Sequence, residues 1–208
     1  DVSNVNLPIV SALEQQQAAE IAMMRALSTS PALRDGDIGS FRVQAHAIIR
    51  SDLKGAQIFV QDASGNILLD TGADVGNGLS ETIPKSSELQ SANPTISGLA
   101  AGKTFAESAY FVPVPVLASG PVPYRLIARM PVKRLADLID SQNLDPGYFA
   151  SIVDRDGILL ARSAESEKHY GKKLAGVAAS QGRDFFTWSG ENPQGVLVYG
   201  VIRRGPIY

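Results

Sequence analysis

The chain has 208 residues, 44% of them hydrophobic, with a formal net charge of -2. That is enough apolar material for one or two ordinary cores, and the near-neutral balance argues against a nucleic-acid partner, which needs concentrated Lys and Arg. Cysteine is absent, so disulfides, thiolate nucleophiles and thiolate zinc sites are excluded.

No stretch approaches the ~18 consecutive apolar residues of a membrane span, and no basic-then-apolar leader opens the chain. Beginning at Asp1 and stopping at Tyr208, it reads as a piece of something longer. Leu7 to Leu27 hold helix formers without Gly, with Pro8 in a tolerant first turn and Leu13, Ile21, Met24 and Leu27 on one face. "STSPALRDGD" ends that helix, and a shorter one follows with Phe41, Ala45, Ile48 and Ile49 at helical spacing. Strands are then expected at Ala56–Asp62 and Ile67–Thr71 around a tight "ASGN" turn. Gly72–Ala92 is Ser/Gly-rich and should be irregular, with a short helix.

Further strands are expected at Thr95–Leu99, Phe105–Val116 and Tyr124–Val132. Pro113 and Pro115 both lack an N–H on the same side, so their strand must overhang its neighbour or lie at an edge there. "LASGP" turns the chain, and Pro131 opens a helix with Leu135, Leu138 and Ile139 on one face, stopped by Asp145-Pro146-Gly147. This order describes an α+β layer with a five-stranded antiparallel sheet. A second set follows at Tyr148–Val153, Ile158–Arg162, Phe185–Ser189 and Gly195–Arg203, with one strand missing.

The second set echoes the first. "FVQDASGNILLDTG" from Phe59 returns as "IVDRDGILLARS" from Ile152, and "VGNGL" after the first copy answers "YGKKL" after the second. A spacing of about 90 residues is too long for a solenoid and suits two related small domains in tandem. The expected division is an N-terminal helix over 1–35, a first domain over 36–133, a connecting helix and linker over 134–147, and an incomplete second domain over 148–208.

With "ALSTSPALRDGD", "DASGNILLDTG", "PTISGL", "ARMPVKRLADLI" and "VDRDGILLARS" followed by "YGKKL", the chain resembles the double Cache (PDC-type, tandem PAS-like) extracytoplasmic sensor domains of bacterial receptors, in particular those of sensor histidine kinases. The resemblance implies a long N-terminal helix and two PAS-like domains with antiparallel five-stranded sheets, the second truncated here. It implies a periplasmic location, flanking transmembrane helices outside this chain, a small-molecule ligand in the membrane-distal domain, and a kinase output in two-component signalling. The Tyr, Arg-x-Trp-Tyr and Asp set that marks amino-acid-binding members is not found. The same sensor on a chemoreceptor or a nucleotide cyclase fits these residues equally. A weak homodimer through the N-terminal helix is expected, because Gln17 and Glu20 interrupt its apolar stripe.

Enzymatic signatures are missing: there is no G-x-S-x-G, Walker loop or H-E-x-x-H. A stand-alone hydrolase would have to draw on Asp70, Asp74 and His46, which are scattered. His46 reads as a packing or surface residue and His169 as a solvated one. Asp154, Asp156 and Gly157 mimic only part of a calcium loop, and the turn reading explains them and Asp62 and Gly65 alike. No catalytic residue, cofactor or metal is expected in this chain. A spacer that binds nothing is the remaining alternative.

The informative residues are polar and aromatic groups mixed on strand faces, as a small-ligand pocket requires. Phe59, Gln61, Tyr110, Tyr124 and Arg125 are the candidate ligand-binding residues, with Asp70 and Thr71 at the rim. They would suit a small carboxylate or polar organic molecule.

Overall fold

The computed structural model describes residues 2–72, 97–100, 104–116, 124–154, 157–174, 185–191 and 197–203. The expected irregular segment from residue 73 on, Asp74, Asp156, the "LASGP" turn and the stretch 175–184 lie outside the described residues.

Helix α1 (Val2–Ser28) begins upstream of the expected start, so Pro8 lies inside it rather than in its first turn. Its missing N–H removes one i→i−4 bond, which a long helix absorbs. Ile9, Leu13, Gln17, Glu20, Met24 and Leu27 are buried at the alternating spacing of a single helical face, and Ser28 is buried at the end of the helix. Two of the six on that face are polar. The punctuation after α1 holds a one-turn helix, α2 (Pro31–Arg34), with Pro31 at its first turn and Leu33 fully buried. Helix α3 (Ile38–Ser51) is capped by Asp37, whose Oδ1 accepts from the Ser40 amide at 2.9 Å, and it buries Phe41 and Ala45.

The chain separates into two compact units. One comprises Gln17–Gly102 and Glu107–Pro131. Its sheet contains β1 (Gln57–Gln61), β2 (Ile67–Asp70), β3 (Ser97–Ala100), β4 (Ala109–Pro115) and β5 (Arg125–Pro131), in the antiparallel order β2-β1-β5-β4-β3. Pro113 and Pro115 pair with Ile127 and Arg125 on one side, and among the described residues β3 is paired with β4 at Ala109 and Phe111. The positions that would face the two prolines on the other side lie outside the described residues.

The other unit comprises Asp1–Gln16, Lys103–Ala106 and Val132–Tyr208. Pro131 closes β5, and helix α4 (Lys133–Asp140) starts two residues later, burying Leu135, Ala136, Leu138 and Ile139. It ends earlier than Asp145-Pro146-Gly147, in a turn where Asn143 takes a left-handed φ of 47°. Hairpin β6 (Ser151–Val153) and β7 (Leu159–Arg162) is followed by a short helix, α5 (Ser166–His169), which the sequence pattern did not announce. Strands β8 (Phe185–Glu191) and β9 (Leu197–Arg203) form a hairpin of their own. Among the described residues these are two separate two-stranded pairs, not one sheet. Phe105 meets Tyr170 edge to face at 5.7 Å in the same unit.

Candidate functional site

Cross-strand register sorts the residues of the five-stranded sheet onto its two faces, because directly opposed residues point the same way. Ile58 opposes Ala128, which opposes Val112; Val60 opposes Leu69 and Leu126; Tyr110 opposes Met130. These residues share one face and are all buried, and the one polar group among them is the Tyr110 hydroxyl. That hydroxyl donates to the Glu20 carboxylate of α1, 2.9 Å from each oxygen, so α1 lies against this face.

The other face is of mixed chemistry. Phe59, Phe111 and Ile127 form a fully buried apolar cluster, with Ile67 packed against it. Around it stand Asp70 opposite Phe59, Gln57 opposite Arg129, and Gln61 opposite Arg125. Arg129 donates to the Glu107 carbonyl, and Gln61 Nε2 donates to the Gly65 carbonyl at 3.0 Å. An apolar floor ringed by two amides, a carboxylate and two guanidinium groups is the chemistry of a site for a small polar organic molecule.

Of the candidate residues, Phe59, Gln61, Asp70 and Arg125 are thus brought to one face. Tyr110 is not with them: the register of β4 against β5 turns it to the helix-covered face. Tyr124 lies just before β5, half-buried, with its carbonyl accepting from the Val116 amide. Thr71 serves the backbone: its Oγ1 accepts the Ile58 N–H at 2.8 Å and its own N–H donates to the Ile58 carbonyl. Gln57, Phe111, Ile127 and Arg129 join the face unannounced; the parity Gln57 shares with Phe59 was the available signal.

Asp70 is the unusual member. It is fully buried. Its Oδ1 accepts from Gln57 Nε2 at 2.6 Å and from the Gly72 amide at 2.7 Å. Its Oδ2 is buried without any partner. Gly72 has to be glycine for this arrangement, since an added Cβ would lie 2.7 Å from Cδ of Gln57.

The echo in the sequence is a repeated structure. In the first hairpin Asp62 Oδ1 accepts from the Ser64 and Asn66 amides, with Gly65 at φ 88°. In the second, Asp154 Oδ1 accepts from the Ile158 amide, with Gly157 at φ 78°. The Asn66 side chain, then the turn amides, hold the Asp62 carboxyl below its ordinary range. Both ladders shift register one residue before the turn, after Val60 and after Ile152. Ser163 Oγ accepts the Ala150 N–H while Ser163 donates back to the Ala150 carbonyl, as Thr71 does with Ile58. By this matching Asp70 corresponds to Arg162 and Gln57 to Phe149. Arg162 lies over the Phe149 ring at 4.8 Å, with its buried Nε unpartnered.

Among the described residues no group of three His, Cys, Asp or Glu is arranged to hold a metal ion. None of their helices is long and apolar enough to cross a membrane. His46 is half-buried on α3, and His169 lies 3.8 Å from Glu165.

No known family profile matches the chain, and no curated protein matches it in sequence. Solved structures do. The sensory domain of the Campylobacter jejuni chemoreceptor Tlp3 with isoleucine bound aligns with a TM-score of 0.66 at 13% identity, covering 89% of this chain and 80% of that one. The ligand-binding domain of the Pseudomonas fluorescens chemoreceptor CtaA in complex with L-valine gives 0.65 at 13%, covering 97% and 94%. The periplasmic domain of Vibrio cholerae LuxQ gives 0.58 at 14%, covering 98% and 100%. The fold is that of bacterial sensory domains. It is α+β, with a long N-terminal helix followed by an antiparallel sheet, as the resemblance implied.

Proposed function

We propose that the chain is the extracytoplasmic ligand-sensing part of a membrane-bound sensor histidine kinase, non-catalytic itself and built as two PAS-like domains in tandem. It takes a small polar molecule or carboxylate on the mixed face of its first sheet, where Phe59, Phe111 and Ile127 give the floor and Gln57, Gln61, Asp70, Arg125 and Arg129 the polar groups. The observation that carries this reading is the division of one sheet into a dry helix-backed face and a second face on which a buried apolar floor and the buried Asp70 carboxylate are ringed by four half-buried polar side chains. A sheet serving only as a scaffold gains nothing from burying such a carboxylate. The flanking membrane helices and the kinase lie outside this chain in this reading. A chemoreceptor output is the second reading, favoured by the Tlp3 and CtaA domains among the structural neighbours.

Signalling requires that the ligand bind one packing state better than another, for otherwise it shifts no equilibrium. The test is thermal unfolding against a panel of carboxylates, amines and other small metabolites. A ligand at about 100 times its Kd stabilises the folded state by roughly 2.7 kcal/mol, raising the midpoint by about 5–10 °C. Such a shift without turnover is expected. Turnover of any panel compound, or no shift across the panel, overturns the reading.

A further inference from the structure

The second hairpin reverses the chemistry of the first. Arg162 opposes Ser151 at the position that Asp70 holds opposite Phe59, and by the same matching Phe149 takes the place of Gln57. Both hairpins share the turn, the register shift and the closing hydroxyl, one with an acid and one with a base, so none of these requires a guanidinium. The Arg162 backbone is held separately by Ser166, whose Oγ accepts the Arg162 N–H at 2.9 Å and donates to its carbonyl.

The side chain has no such employment. Its Nε is buried without a partner, and among the described residues no ion pair involves Arg162. Glu165, three residues on, is paired with Lys168 and lies 3.8 Å from His169. The Glu165 carboxyl is held below its ordinary range first by the Lys168 side chain, with Arg162 the weakest of its influences. A charged donor shut off from water and given no acceptor is costly. The Phe149 ring centroid is 4.8 Å from the guanidinium carbon, and this residue is 58% exposed. Ser151 is exposed on the same face, since it opposes Arg162 directly and stands two residues from Phe149 on the strand. A guanidinium, a hydroxyl and an apolar ring are thus gathered on one face within one compact unit.

We propose that Phe149, Ser151 and Arg162 form an anion site for a small organic carboxylate with an apolar body. The two carboxylate oxygens accept from Nε and the adjoining Nη of Arg162, the Ser151 hydroxyl donates beside them, and the apolar body rests against Phe149. The ring fixes the plane of the guanidinium, and a planar carboxylate matches its fork of donors. Because that ring is exposed, a small shift of Phe149 admits the acceptor to Nε. An alcohol brings no charge, and an ammonium is repelled. The site shares no residue with the mixed face of the first sheet, and its assignment does not rest on the sensor reading.

The experiment titrates benzoate, benzyl alcohol and benzylamine, which share a ring and differ in the head group, into the whole chain by calorimetry at constant ionic strength. Benzoate is expected to bind at least about tenfold more tightly than the other two, tenfold being 1.4 kcal/mol. Arg162→Gln should bring benzoate to within about threefold of benzyl alcohol. Ser151→Asp, at an exposed position, sets a carboxylate of the chain's own against Arg162 and should weaken benzoate at least about fivefold; it decides alone if Arg162→Gln does not fold. Equal binding of the three probes, or no binding of benzoate, overturns the assignment. Benzoate affinity unchanged by both substitutions also overturns it, and leaves the first sheet as the place where the carboxylate binds, so that the sensor reading stands. Where the substitutions abolish benzoate binding and the metabolite panel still shifts the melting temperature of the Ser151→Asp protein, both readings hold, at separate sites.

Discussion

The most sharply defined test of the packing is Tyr110→Phe. The substitution deletes one oxygen and leaves the ring, so no cavity opens around a side chain that is 1% exposed. The lost hydroxyl sits 2.9 Å from both oxygens of Glu20, itself 1% exposed, so water does not replace it. A hydrogen bond to a charged group contributes about 1.5–3 kcal/mol, and the substitution takes one donor from a buried carboxylate. The expected loss is ~2 kcal/mol, or about 4–8 °C if the chain melts as one unit. Urea unfolding at fixed pH measures it. A double-mutant cycle with Glu20→Gln isolates the pair, with a coupling of about 1–2 kcal/mol expected. A change below about 0.5 kcal/mol, or strict additivity with Glu20→Gln, would refute the claim that this bond ties α1 to the sheet.

Other substitutions probe the hairpin and the helix start. Thr71→Val should cost about 1–2 kcal/mol and speed hydrogen exchange at the Ile58 amide, which loses its Oγ1 acceptor; unchanged exchange would contradict the ladder role. Gly72→Ala should displace the Gln57 amide from Asp70 and lower stability by ~1 kcal/mol, an effect that disappears in a Gln57→Ala background. Asp37→Ala removes the cap of α3, whose carboxyl is held below its ordinary range first by the Ser40 side chain and then by the Ser40 amide. Because the folded-state pKa is the lower one, this stability is present above the unfolded-state value and lost as pH falls through the folded one. The gap between wild type and variant in melting temperature should therefore be full at neutral pH and close in acid below the ordinary aspartate range.

The turns were the most legible part of the fold, because an Asp that bonds back to turn amides and a Gly with positive φ are local requirements that the sequence must meet in place. Strand parity was legible too, since Tyr110 and Val112 do share a face. Which face of β1 they join is a matter of register through β5, and period-2 alternation carries no information about register. That is why Tyr110 was grouped with Gln61 and Arg125. Gln17 and Glu20 look like interruptions of the apolar stripe of α1, yet both are buried, and Glu20 is accommodated by a hydroxyl supplied from β4. The empty oxygen of Asp70 could not be read at all, being a property of what surrounds the residue.

The order β2-β1-β5-β4-β3 also sets a timetable for the nascent chain. β1 meets β2 across a short turn soon after both are made, but its other edge is hydrogen-bonded to β5, and Glu20 waits for a hydroxyl 90 residues further on. At about 5–20 residues per second of synthesis, the apolar strand QIFVQ spends several seconds with one edge unpaired. Contacts of such long range also slow folding after release. The sheet that carries the candidate site thus stays open until β5 has been made, and β1 is exposed to wrong pairing through that interval.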